Sequence, residues 1–204
     1  MPARLYFTDS DEANELIAKD PMALLIGFAL DQQVSVPKAF MGPLVIKQRL
    51  GTLDPGKLAA ADLEPVFREK PAIHRFPAKM AERVHDLSAH VSAEYGGDAA
   101  RVWKDARNGE QLRANLEALP GFGEMKVKAL GSVLAKRYKL AKAKSLVPPH
   151  PTLGDVDSHE ALLDYQAAKR AHKLSLKSSA PRPAPSKSQR PSASRNTRGR
   201  GKSK

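Results

Sequence analysis

Apolar residues recur at three- and four-residue intervals along most of the chain, and no run alternates apolar and polar for long enough to predict a strand. An all-α fold is therefore expected. Ser10 can cap a first helix, with Asp11 and Glu12 at its positive end. Pro21 suits the first turn of a second helix through Leu30, the most apolar run of the chain. Ser35 can cap a third helix reaching Gly51, which Gly42-Pro43 should bend or break. Asp54-Pro55 and Asp62-Leu63 read as starts of short helices. Pro77 to Tyr95 is the cleanest amphipathic stretch, with Met80, Val84, Leu87 and Val91 on one face and Gly96-Gly97 as its stop. Further helices are expected over 110–119, 125–140 and 158 to about 172.

Composition changes this picture at the C-terminal end. The segment Lys177–Lys204 holds nine Lys or Arg and no acid, so it carries +9 of the net +12 and leaves +3 for the rest. Rich in Pro and Ser, it cannot bury a core and is expected to be disordered. The predicted organisation is a helical domain over 1–142 with a hairpin at 110–140, a Pro/Lys-rich connector over 143–157, a terminal helix over 158–173 and a basic tail over 174–204. The basic balance points to a polyanionic partner. With no cysteine, thiolate zinc sites and Cys-ligated iron–sulfur clusters are excluded. The run Pro21–Leu30 is too short to cross a bilayer, and no signal-peptide core opens the chain. A cytoplasmic, nucleoid-associated monomer without a membrane partner is the expectation.

One short segment carries candidate chemistry. In Leu119-Pro120-Gly121-Phe122-Gly123, Pro120 ends one helix, the glycines allow a tight turn, and Leu119 and Phe122 can anchor it. Such a turn presents main-chain N–H groups at the start of the next helix, where a phosphate can bind without any reading of sequence. The plain alternative is a helix–helix connection. Lys126 and Lys128 follow on the second helix.

The pattern of an apolar residue, Pro-Gly-apolar-Gly and a basic helix resembles the helix-hairpin-helix of the HhH-GPD superfamily of base-excision DNA glycosylases. Leu30-Asp31-Gln32-Gln33-Val34-Ser35-Val36 is similar to that family's Leu-x-Gln-x-Val-Ser-Val passage, and Phe76-Pro77-Ala78-Lys79 is similar to its aromatic-x-x-Lys helix entry. The three segments stand in the family's order and span roughly Pro21 to Leu140. Compact actinobacterial repair proteins of this type are the nearest in pattern.

The resemblance implies a two-lobed helical fold with a cleft facing double-stranded DNA, and hydrolysis of the N-glycosidic bond of a damaged base turned out of the duplex. It implies Gln33 as the wedge that fills the gap, with Gln32 beside it as a contact or a brace of the loop. Ser35, Gly121, Phe122, Gly123, Lys126 and Lys128 would meet the DNA. It also implies a monovalent cation held by the main-chain carbonyls of Glu117, Leu119 and Phe122, and no other cofactor.

Two features depart from the family. Its strand-cutting members place a Schiff-base lysine two residues past the last glycine, where this chain has Met125. Lys126 is about 100° further around the helix and is expected to face solvent or a phosphate, so a monofunctional enzyme without lyase activity is implied. The family's aspartate has three candidates here. Asp157, in Gly154-Asp155-Val156-Asp157-Ser158-His159, lies in a similar context but 34 residues past Gly123, longer than the usual connection; alternatively Asp157-Ser158 caps the last helix. Asp31, beside the wedge, is the second and Asp155 a weaker third. If no carboxylate reaches the pocket, the alternative is a DNA-binding protein that keeps the fold and has lost catalysis. Phe28, Trp103 and Tyr138 are the aromatics that can stack on a base or fill the core.

Overall fold

The computed structural model describes residues 1–179, and all regular structure among them is helical. The ends of α1 (Asp11–Lys19) and α2 (Pro21–Leu30) follow from their caps. The Ser10 hydroxyl accepts from the Ala13 N–H at 3.2 Å, and the Asp20 carboxylate accepts from Met22 and Ala23 at 2.9 and 3.1 Å. Every residue of α2 after Pro21 is buried, so this helix forms the centre of the first half of the molecule.

Helix α3 (Val36–Leu50) continues through Gly42-Pro43 without a break. An interior proline costs roughly 3 kcal/mol in an isolated helix. Here packing outweighs that cost. Gly42 lets Leu30 of α2 lie against the α3 backbone, and Gly27 of α2 does the same for Phe40 of α3. Two reciprocal glycines thus bring the helices into close contact, and Phe40 meets Phe28 and Phe7 edge to face at 5.1 and 4.9 Å.

Short helices α4 (Pro55–Ala60) and α5 (Glu64–Arg68) pack on α6 (Pro77–Tyr95). On α6, Met80, Val84, Leu87 and Val91 are buried, and Gly96 ends the helix at φ 61°. The segment between α5 and α6 is held by Arg49, which donates to the carbonyls of Val66 (2.7 Å), Glu69 (3.1 Å) and Pro71 (3.1 Å).

The second half builds around α9. Helix α7 (Arg101–Lys104) leads into α8 (Gly109–Glu117), capped by Asn108, and a tight turn leads into α9 (Glu124–Lys136). The Pro/Lys-rich connector is packed. It contains most of one 3₁₀ turn, η1 (Ala141–Leu146), and all of a second, η2 (Leu153–Asp155), both against α9. Ala143, Leu146, Leu153 and Val156 are buried there. Helix α10 (His159–Ser179) continues past the expected end at 173 and takes in residues 174–179 of the expected tail. The remainder of that tail, 180–204, lies outside the described residues.

One continuous apolar core joins the two halves. Phe28 and Trp103 belong to it and are not placed to stack on a ligand, while Tyr138 is half-buried and packs against it. The Tyr138 hydroxyl donates to the carbonyls of Ala18 (2.8 Å) and Ile17 (3.2 Å). Among the described residues no helix is long and apolar enough to cross a membrane.

Candidate functional site

The loop after α2 is the first component. Asp31 closes the helix, its N–H donating to Gly27 O at 3.1 Å, and the Gln32 N–H turns back onto Leu30 O at 2.7 Å. This tight reversal carries Gln33 to φ 55°, exposed to solvent. A non-glycine residue in that region costs roughly 1 kcal/mol or more and persists only when its surroundings hold it. His74 is that hold. It is buried, its Nε2 lies 3.1 Å from Gln32 O, and its Nδ1 accepts from the Phe76 N–H at 3.1 Å. Accepting at Nδ1 leaves Nε2 as the N–H that donates to Gln32 O. Burial lowers the His74 pKa, which keeps the ring neutral. Gln32 therefore braces the loop through its carbonyl, while Gln33 projects. Ser35 begins α3 with its hydroxyl uninvolved in capping. Beyond His74, Phe76 is 41% exposed, and the Arg75 guanidinium sits 4.9 Å from its ring centre.

The α8–α9 turn is the second component. Leu119 and Phe122 are buried and anchor it, and the Phe122 N–H closes it onto Leu119 O at 3.0 Å. Gly121 adopts φ 80°, a conformation suited to glycine. Gly123, at φ −91° with open space around it, has no such need. Among the described residues the N–H groups of Gly123, Glu124 and Met125 have no protein acceptor, so this face of the turn is free to meet an anion. Lys128 pairs with Glu124 at 2.6 Å on this helix. Arg83 of α6 lies against Gly121. The carbonyls of Glu117 and Phe122 accept no hydrogen bond among the described residues, whereas that of Leu119 is used by Phe122. Among the described residues no group of three or more His, Asp or Glu side chains could hold a metal ion.

The expected direction of Lys126 is corrected. The buried face of α9 is set by Val127, Leu130, Val133 and Leu134, and this phase turns Lys126 inward and leaves Met125 73% exposed. Lys126 Nζ donates to Ala29 O at 3.0 Å and stands 5.5 Å from the Phe122 ring centre. Burial lowers its pKa from the ordinary lysine value to about 8; nearby Arg83 lowers it too, and Asp31 opposes both. The bond to Ala29 brings the α8–α9 turn to the loop that carries Asp31 and Gln33.

Helix α10 completes the cluster. Lys169 Nζ lies 3.8 Å from Asp31 Oδ2, and the Asp31 side chain is only 17% exposed. Tyr165, one turn before Lys169, has its pKa raised by burial and then by the Asp31 charge. Lys126, Tyr165 and Lys169 thus each lie close enough to Asp31 to interact with its charge. The other two candidate acids have different surroundings. Asp157 is exposed, and Ser158 rather than Asp157 caps α10, accepting from the Ala161 N–H at 3.1 Å. Asp155 forms a capping box with Thr152 and pairs with Lys136 at 2.6 Å.

His74, Arg83, Tyr165 and Lys169 were not singled out by sequence. Only His74 stood next to a recognised segment, two residues before Phe76. Tyr165 and Lys169 are i, i+4 neighbours on α10, a spacing too common to signal a site. No family model matches the chain, and no curated protein or solved structure matches it.

Proposed function

We propose that this protein is a monofunctional base-excision DNA glycosylase of the HhH-GPD type, with Asp31 as its catalytic carboxylate. One observation carries the reading: Lys126 bonds Ala29 across 97 residues of chain and sets the anion-binding turn beside a strained, projecting Gln33 and a half-buried acid. Each group then has a task. The N–H groups at the start of α9 and Arg83 take backbone phosphates. Gln33 enters the stack in place of the extruded nucleotide. Asp31 stabilises positive charge developing on the sugar and accepts a proton from water. Met125, at the position of the family's nucleophile, can form no Schiff base.

The experiment is an excision screen on duplexes carrying one deaminated, oxidised, alkylated or mismatched base, run with the parent protein, Asp31→Asn and Asp157→Asn. The reading requires base release by the parent and by Asp157→Asn and its loss in Asp31→Asn, with an abasic strand left intact until alkali is added. A parent protein that binds duplex DNA and releases no base overturns the enzymatic reading in favour of the non-catalytic one. A borohydride-trapped adduct that disappears in Lys126→Ala overturns the monofunctional assignment.

A further inference from the structure

A cleft of about 390 Å³ opens between the first turn of α9 and α10, lined by Met125, His150, Pro151, Tyr165, Ala168 and Lys169. Its volume falls at the small end of ligand sites, which run from about 300 to 1,000 Å³. Two of its walls, Tyr165 and Lys169, are also the neighbours of Asp31. We propose that this cleft receives an uncharged nucleobase bearing ring carbonyls, of the deaminated or oxidised kind, and rejects N-alkylated purines that carry a positive charge. The proposal rests on the glycosylase reading and names its substrate class.

Shape and charge both favour such a guest. The exposed Met125 thioether and the Tyr165 ring offer soft, polarisable surfaces to a flat heterocycle. The Lys169 ammonium, 5.9 Å from the Tyr165 ring centre, is a donor suited to a carbonyl oxygen. Among the described residues no carboxylate lines the cleft. Lys169, in its wall, lies 3.8 Å from Asp31, and Lys126 is close enough to feel the same carboxylate, so the positive charge on this side of the cleft disfavours a cation.

The chemistry agrees. A cationic alkylated base leaves as a neutral molecule and needs little help. An uncharged base leaves with the electron pair of the broken C1′–N bond and becomes an anion. Water forms the new C1′–O bond and gives its proton to Asp31, which passes it to solvent. The departing anion is held by the Lys169 ammonium, or takes a proton from it that Lys169 regains from solvent. Preorganised positive charge at the leaving group acts where it is needed only if the base starts uncharged.

The test is single-turnover excision by the full chain on duplexes with one uracil, hypoxanthine, 8-oxoguanine or 7-methylguanine, corrected for spontaneous loss. At least one of the first three should be released about ten-fold faster than 7-methylguanine. Lys169→Met should slow that release about ten-fold and Met125→Ala about five-fold, with undamaged-duplex affinity changed no more than in the charge-matched control Arg170→Met. Both substituted side chains are largely exposed, so folding is not at stake. Preferential release of 7-methylguanine, or release of an uncharged base that ignores both substitutions, overturns the proposal and leaves the glycosylase reading standing. Release of none of the four bases by a protein that releases a base in the wider screen overturns this proposal alone; release of no base in either experiment, with duplex binding intact, overturns the glycosylase reading and this proposal with it.

Discussion

Lys126 presents an ammonium close enough to Asp31 to interact with its charge, and this has a measurable consequence for stability. Its folded pKa of about 8 lies below the ordinary lysine value. Below pH 8 both folded and unfolded chains hold the proton, and the penalty for burying the charge is fully present. Between about pH 8 and 10.4 the unfolded chain binds more protons, so stability rises with pH across that window. Lys126→Met should remove this rise. It should also stabilise the protein at pH 7 by about 1 kcal/mol, a value reduced for the partial exposure of the side chain. Urea denaturation at pH 7 and pH 10 reads both effects; a parent protein whose stability falls over the window would contradict the inward placement. The acids give a second residue-scale outcome. Asp31→Asn should abolish excision by orders of magnitude with duplex affinity retained or improved, and Asp157→Asn should leave the rate within about two-fold, since Asp157 is solvated. Sequence placed Asp31 beside the proposed wedge but could not choose it over Asp157. The choice depends on Tyr165 and Lys169, which reach Asp31 through tertiary packing and leave no local signal.

At the scale of elements, local chemistry was the better guide. Ser10, Pro21, Pro77 and Gly96 mark helix ends through caps and backbone limits that act within a few residues, and the structure has boundaries there. Pro43 shows the opposite case, because the reciprocal glycine contacts with α2 that sustain α3 are invisible along the chain. The same holds for α9, whose phase about its axis is decided by core contacts of Val127 and Leu130. The turn before α9 separates its two glycines. Gly121→Ala should destabilise by about 1–2 kcal/mol through its positive φ, displace Arg83 and weaken duplex binding. Gly123→Ala should change stability by less than about 0.5 kcal/mol. Thermal melts with a binding titration for each variant distinguish them; equal losses in both would mean that the turn is not held at Gly121.

For the whole molecule, the all-helical class followed from periodicity, whereas the packed connector did not, since Pro and Lys within 143–157 conceal the buried apolar Ala143, Leu146, Leu153 and Val156 that complete the α9 core. The charge distribution predicts behaviour on DNA. Removing 180–204 takes away eight Lys or Arg and keeps α10 to its end at Ser179. Duplex affinity at low salt should fall, and the salt dependence should flatten by about 0.9 log units for each phosphate that the shortened chain leaves unneutralised. The melting temperature should stay within a few degrees; a large drop would show that this segment supports the fold. A different property follows from Arg49. Its three carbonyl bonds fix the strap that ends in His74, and His74 fixes the reversal that thrusts Gln33 outward. The projecting side chain is therefore governed by a residue that approaches neither it nor the acid. In an unbiased search for inactive variants, Arg49 should be recovered alongside Asp31, in a protein that folds, keeps its charge cluster and has lost only the stiffness of the loop.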